Sequence, residues 1–345
     1  NALFNRISAR ERSAFIRQLS ALVQAGVPMV QALVLMHSGA SPKLRVPLTQ
    51  MLHAVQQGQP LSHAFAAQPQ FFDALSVSLI QAGERSGHLD VMLTRLNEYQ
   101  QRQAALRAKV QRALFYPVAV VLVAIAVVVF LLTHIVPQFE RIYQSLGTDL
   151  PNSTQAIMAF SAALQHHGWS IALVLLALIG LGIWQWHQNP KLRYWLDGVL
   201  LKLPLLGTLI QKNALARSTR TLSTLLKAAV PLEDAFTLTA NSSGHSHIAQ
   251  AWLTVRHQVL QGHSFAQSLH HQHAFPLLLR QMLTIGAESG ALDTLSEQTA
   301  QFYAQDVETL VDGLTSLIEP ILMVILGIIV GGLILAMYLP TFTIL

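Results

Sequence analysis

An unbroken apolar run between two prolines, Pro117 and Pro137, constrains this chain more than any other stretch. Val118–Leu132 holds no charged or strongly polar residue, and Thr133-His134-Ile135-Val136 leads to the second proline. At about 1.5 Å per residue, roughly 20 residues cross the hydrocarbon of a bilayer, so the run has the length of a membrane helix. The prolines are expected to mark its ends, since proline seldom continues a helix. The pattern then recurs. Glu319-Pro320 opens Ile321–Leu339, which Pro340 closes, and Pro320, Pro340 and Phe342 each follow Pro117, Pro137 and Phe139 by 203 residues.

The same offset carries Gly83-Glu84-Arg85-Ser86-Gly87 onto Gly286-Ala287-Glu288-Ser289-Gly290, and Asp90 onto Asp293. It carries Arg17-Gln18-Leu19-Ser20 onto Arg220-Thr221-Leu222-Ser223 and Val27-Pro28 onto Val230-Pro231, while Gly58 meets Gly262 after a one-residue slip. A fixed internal period marks a duplicated unit. Here the unit is a helical domain that feeds a membrane helix.

Six helices and no strand are expected in the first copy. Phe15, Leu19, Leu22 and Val23 recur at helical spacing until Gly26 and Pro28 stop them. Short helices follow over about 29–36 and 44–57, Ser62 is placed as the N-cap of a brief helix ending at Ala67, and 73–82 forms a fifth. Gly83 and Gly87 are expected to bracket a tight turn, after which Leu89 opens a long helix. A domain of about 100 residues can bury its own core.

Charge sets the orientation. Residues 1–115 hold twelve Lys or Arg, whereas 138–168 hold only Arg141 against Glu140 and Asp149. Basic residues favour the cytoplasmic side, so the first domain is expected inside and the loop outside. For the second copy to start on the same side, the chain must cross back. The apolar stretch 169–187, flanked by Trp169 and Trp186 and followed by Lys191 and Arg193, supplies that crossing. The expected order is a first cytoplasmic domain (1–115), a span (116–137), an outer loop (138–168), a span (169–187), a second cytoplasmic domain (188–318), a span (319–340) and an outer tail (341–345). The fold class is therefore an all-α membrane protein with two homologous six-helix bundles and three transmembrane helices. The opening residue is Asn1 rather than Met, so an upstream segment is expected, and no signal peptide is legible in the first thirty residues.

Composition narrows the function. The chain is 52% hydrophobic and 11% charged, against about a quarter charged in soluble domains. The absence of cysteine excludes disulfides, thiolate metal sites and cysteine catalysis. The net charge of +5 clusters beside the apolar runs, which argues for a membrane and against nucleic acid as partner. His245-x-His247, His263 and His270-His271-x-His273 lack the helical pair with a carboxylate of a zinc hydrolase and read as solvated surface histidines. His134 lies near the outer end of its run, where it reaches the interface rather than relaying protons. Gly83-x-x-x-Gly87 lacks the Lys and Ser/Thr of a phosphate loop. Neither catalytic residues nor a cofactor or metal are expected. No Asp, Glu, Lys or Arg interrupts the three apolar stretches, which weakens the alternative of a small multi-pass transporter, since transport needs ionisable groups at depth.

Gly83, Glu84, Gly87 and Asp90, with Gly286, Glu288, Gly290 and Asp293, are candidate turn or partner-contact positions. For the acidic members helix capping is the simpler role. Gly327-x-x-x-Gly331 is a close-packing pattern for membrane helices. The two domains also differ in charge: 1–115 carries twelve basic and five acidic residues, 187–320 nine basic and ten acidic. Duplicated halves that diverge so far are expected to face different surfaces, the first a salt-sensitive acidic one.

Taken together, Leu19-Ser20-x-Leu22 with Gly26-Val27-Pro28, Gly83-Glu84-x-Ser86-Gly87-x-Leu89, Tyr116-Pro117 and Ala336-Met337-Tyr338-Leu339-Pro340 give the chain a family likeness over nearly its whole length. It resembles the inner-membrane platform proteins of type II secretion systems (protein F) and type IV pilus assembly machines. Ala287 departs from the pattern by standing where the first copy has Glu84. The resemblance implies a non-enzymatic scaffold in the bacterial inner membrane, amino terminus cytoplasmic and carboxyl terminus periplasmic. Its implied partners are a hexameric assembly ATPase, pilin or pseudopilin subunits, other inner-membrane assembly proteins, membrane lipid and further copies of itself.

Overall fold

A computed structural model of the chain describes residues 9–139, 141, 152–202 and 206–344. Arg6, Glu140 and residues 142–151 of the expected outer loop, with Asp149, and Leu345 lie outside the described residues. Every element among the described residues is helical. The first copy supplies α1 (Ala9–Gln24), α2 (Met29–Ser38), α3 (Pro42–Gln56), α4 (Leu61–Ala66), α5 (Ala74–Ser86) and α6 (Leu89–Phe130). After α7 (Asn152–Gln188) and α8 (Pro190–Lys202), the second copy supplies α9 (Leu206–Lys227), α10 (Leu232–Ser243), α11 (Ser246–Leu260), α12 (Phe265–His270), α13 (Leu277–Ser289) and α14 (Leu292–Ile344).

The chain divides into two compact units: Asn1–Ala108 with Asp197–Glu308, and Lys109–Leu196 with Thr309–Leu345. In the first unit the buried apolar side chains of both copies form one continuous core. The copies share topology but fill that core differently. Phe15, Phe65 and Phe72 cluster in the first, with ring centroids 4.0–6.2 Å apart. Phe236, Phe265, Trp252 and Phe275 do so in the second, at 4.8–6.0 Å. At the repeat offset, Ser218 stands for Phe15 and Phe236 for Leu33, while in the helix displaced by one further residue Trp252 stands for Leu48. Volume lost at one position is regained at others, as interiors of near-crystalline density require.

In the second unit, α6 continues through a π turn, Leu131–Ile135, to Phe139. Leu89–Phe139 is long and apolar enough to cross a membrane, and almost all side chains of its apolar window face outward. α7 turns Leu173, Val174, Leu176, Leu178 and Leu181 outward, and α14 does the same with Ile321, Met323, Val324, Ile325 and Ile328.

The prolines expected to end the apolar helices do not. α6 runs through Pro117 and α14 through Pro320 and Pro340. Continuing the helix forfeits one backbone hydrogen bond, whereas ending it there strands four carbonyls and four N–H groups. Pro137 acts differently, and it explains the π turn. Val136 N–H bonds back to Leu131 O instead of Leu132 O, and Pro137, next in line, has no N–H to offer. The orphaned Leu132 carbonyl accepts from Ser161 Oγ of α7. Leu132 and Val136 pack there on Met158 in a small apolar cluster. The stretch 138–168, read from sequence as a loop, is thus helical from Asn152 onward.

Helix ends in the first unit repeat one device. Val27 N–H to Leu22 O, Gln59 to Ala54, His88 to Gly83 and His263 to Gln258 are all six-to-one bonds around a left-handed glycine: Gly26, Gly58, Gly87 and Gly262. This is the Schellman arrangement. Val230 to Leu225 completes the set, but the left-handed residue is Ala229, with φ 54°. An L side chain costs about 1 kcal/mol there, and the first copy avoids the cost with Gly26. Ala229→Gly is therefore expected to raise stability by on the order of 0.5 kcal/mol, and Gly26→Ala to lower it similarly. Thermal or denaturant midpoints of the two variants, shifting in opposite directions, check this.

Candidate functional site

The positions singled out from the repeat meet at two equivalent turns. Gly83 and Gly286 do not bracket a turn; both lie buried inside helices, α5 and α13. A Cβ on Gly83 would stand 3.0 Å from the Leu89 Cα and from the Met92 Cβ, and one on Gly286 would stand 3.0 Å from the Leu292 Cα. Each glycine lets its helix touch the start of the next, long helix. Gly87 and Gly290 are the left-handed caps, φ 73° and 72°. Asp90 and Asp293 occupy the first turns of α6 and α14, where a carboxylate offsets the positive end of the helix. Glu288 is exposed.

Glu84 caps a helix, but not its own. Its carboxylate accepts from the backbone N–H groups of Leu61 and Ser62 and from the Ser62 hydroxyl, so it closes the start of α4. Ser62 is the second residue of that helix rather than its N-cap; Pro60 holds the N-cap and offers no side-chain acceptor. In the second copy, Ser264 stands at the place of Pro60. It accepts from Gln267 N–H at 3.2 Å while Gln267 returns the bond to Ser264 N–H, a reciprocal capping box. With a local cap in place the remote carboxylate is dispensable, and its position is Ala287. The departure between copies is one exchange made at two sites.

The histidines need one correction. His263, His270, His271 and His273 are exposed, but His245 is buried. Its ring lies 5.6 Å from that of His247, where α8 approaches so closely that a Cβ on Gly198 would stand 3.0 Å from His247 Nε2. Asp197, also buried, accepts from Ser246 N–H at 3.0 Å and closes the start of α11. No cluster of three metal-ligating side chains occurs among the described residues.

Sequence reasoning missed the seam between the two copies. Tyr99 OH lies 3.1 Å from Thr221 Oγ1 and is buried. Thr221 Oγ1 also reaches Arg217 O at 3.0 Å and Ser242 Oγ at 2.8 Å, so the two copies are joined through a small hydroxyl network. Arg95 donates to Lys227 O. Glu297 takes Arg102 and, at 3.8 Å, Lys227. The repeat offset held a usable signal. Lys227 and Glu297 stand where the first copy has Gln24 and Thr94, themselves hydrogen-bonded at 2.5 Å. The neutral pair of the first copy is replaced by an ion pair in the second, at the seam.

Replacing Glu84 by Ala should cost about 1–3 kcal/mol, since two helix-terminal N–H groups lose their acceptor. Installing the second copy's solution, Pro60→Ser with His63→Gln, should restore part of that loss. Unfolding midpoints of the single and triple variants measure both effects.

The model of the family described as type II secretion system (T2SS), protein F, matches residues 15–137 and again 218–340. The two matches are offset by 203 residues, the period read from the sequence. Among characterised relatives, the type IV pilus assembly protein TapC of Aeromonas hydrophila is 39% identical, over 94% of this chain and 79% of its own length. The type IV pilus assembly protein PilC of Pseudomonas aeruginosa is 37% identical, over 98% and 90%. The type II secretion system protein F of Xanthomonas campestris is 33% identical, over 95% and 81%. With the doubled domain, the shared period and relatives matched nearly end to end, the chain belongs to the type II secretion system protein F family.

Proposed function

We propose that this protein is an inner-membrane platform of a type IV pilus or type II secretion machine, a scaffold rather than an enzyme. In this reading it couples a cytoplasmic hexameric assembly ATPase to pilin-like subunits entering the growing fibre. The observation that carries the proposal is the doubled family domain over nearly the whole chain, shared with pilus assembly and secretion relatives alike. Three spans, 116–137, 169–187 and 319–340, would hold the protein in the bilayer. The outward apolar faces of α6, α7 and α14 support that count. The apolar runs of these stretches hold no Asp, Glu, Lys or Arg, Glu319 standing at the very start of the last, which disfavours transport as the second reading. Gly327 and Gly331 have open space around them, a Cβ on either meeting nothing within 4 Å. Close packing through them would therefore join separate chains, consistent with a homo-oligomer.

The orientation is testable because the chain has no cysteine. Ser242, which donates to Thr221 at 2.8 Å, is a poor labelling site; Ser289 and Ala156 are exposed. In intact cells an impermeant thiol reagent should label Ala156→Cys and spare Ser289→Cys until the membrane is opened. Labelling of Ser289→Cys from outside would exclude the three-span arrangement.

The basic surplus of the first copy divides in two. Arg95 and Arg102 serve the internal seam, and Arg12 donates to Phe71 O at 3.4 Å. Arg10, Arg17, Lys43, Arg45 and Arg85 remain exposed and offer a face for an acidic surface of the motor. Capture of the cognate ATPase by the full chain should weaken with salt, since exposed charges are screened beyond about 8–10 Å. Replacing Arg10, Arg17 and Lys43 by Gln should weaken it further and flatten the salt response. Binding indifferent to both would exclude this face.

A further inference from the structure

Arg95, Arg102, Arg220 and Lys227 border one cleft of about 60 Å³ at the seam, together with Glu98 and Glu297. Four cations against two carboxylates leave a surplus of two positive charges. Arg220 is only 5% exposed, and its Nε is buried without a hydrogen-bond partner. An unsatisfied guanidinium edge in such a place costs more than an exposed one. Burial also holds Arg220 below its ordinary pKa, Glu297 pulling it back up and Arg102 pushing it down. It nevertheless remains a cation at neutral pH.

The cluster is not an accident of the repeated fold. At the repeat offset, Gln298, Gln305, Gln24 and Thr94 stand for Arg95, Arg102, Lys227 and Glu297. Only Arg220 has a charged equivalent, Arg17, and that one is exposed. These four cations meet where the two copies close on each other. Liquid water occupies about 30 Å³ per molecule, so the cleft has room for one tetrahedral oxyanion.

We propose that this cleft between the two copies binds a single phosphate group, held by Arg95, Arg102, Arg220 and Lys227. Guanidinium forks match phosphate oxygens, and the ammonium adds a point charge. The group is either free phosphate or the exposed phosphate of a lipid headgroup. Bound there, it tightens the contact between the copies.

The full chain purified in detergent at pH 7.5 provides the test, with sodium phosphate titrated against sodium chloride at matched ionic strength. Calorimetry should show saturable binding of one phosphate per chain, and the unfolding midpoint should rise with phosphate beyond its response to chloride. Lys227→Gln, which installs the first copy's residue, should bind phosphate about tenfold more weakly, the loss of one charge-assisted hydrogen bond, and its midpoint should rise correspondingly less with added phosphate. Arg220→Gln should abolish binding. Equal responses to phosphate and chloride, or wild-type affinity in Lys227→Gln, would overturn the proposal. Nanodiscs distinguish the two sources. If a lipid supplies the group, phosphatidic acid discs raise the midpoint and remove the response to added phosphate. If solution supplies it, the response is the same in phosphatidic acid and phosphatidylcholine discs.

Discussion

Backbone groups at helix ends must find partners, and in a protein made of helices joined by short turns this requirement governs the architecture. Each helix leaves up to four N–H and four C=O groups without intrahelical partners. The chain meets the demand in four ways. Left-handed residues fold five C-termini back on themselves. Carboxylates far along the chain, Glu84 and Asp197, close the starts of α4 and α11. Ser264 and Gln267 close α12 locally. Ser161 satisfies the one carbonyl that the Pro137 turn leaves over. These bonds also fix which helices lie together, because the remote partners come from neighbouring elements.

The duplication shows which features the fold needs and which it leaves free. Gly83 and Gly286 are alike because any side chain there would drive into the backbone of the next helix. Core aromatics are not alike, since the interior asks for volume rather than for a residue at a position. The seam residues differ most. Each copy meets the other with a different surface, so Tyr99, Arg102 and Glu297 answer to one contact without an equivalent among the described residues.

Much of this was legible beforehand where the cause is local. The 203-residue period, six helices per copy and the left-handed Gly87 and Gly290 follow from spacing and glycine chemistry, and the family model and the helix pattern agree with them. What failed depends on tertiary partners. Pro117 and Pro320 punctuate soluble sequences, but inside long apolar helices interruption costs more than one missing bond. Ser62 looked like an N-cap because its true acceptor, Glu84, is 22 residues away. His245 looked solvated because nothing near it in sequence announces that α8 packs on its neighbours Ser246 and His247. The seam became visible only by asking where the two copies disagree, which is also where Ala287 and Ser264 had signalled their exchange.

That exchange has a consequence for how such a gene can recombine with itself. A crossover between the halves that joins Pro60 to Ala287 yields a unit whose short helix has neither the local cap nor the remote one. The reciprocal product, joining Ser264 to Glu84, carries both. Unequal exchange within this interval is therefore asymmetric in its products, one hybrid unit lacking both caps and the other carrying both. The two copies can differ freely in their cores, whereas trading this segment in one direction leaves the start of a helix without an acceptor.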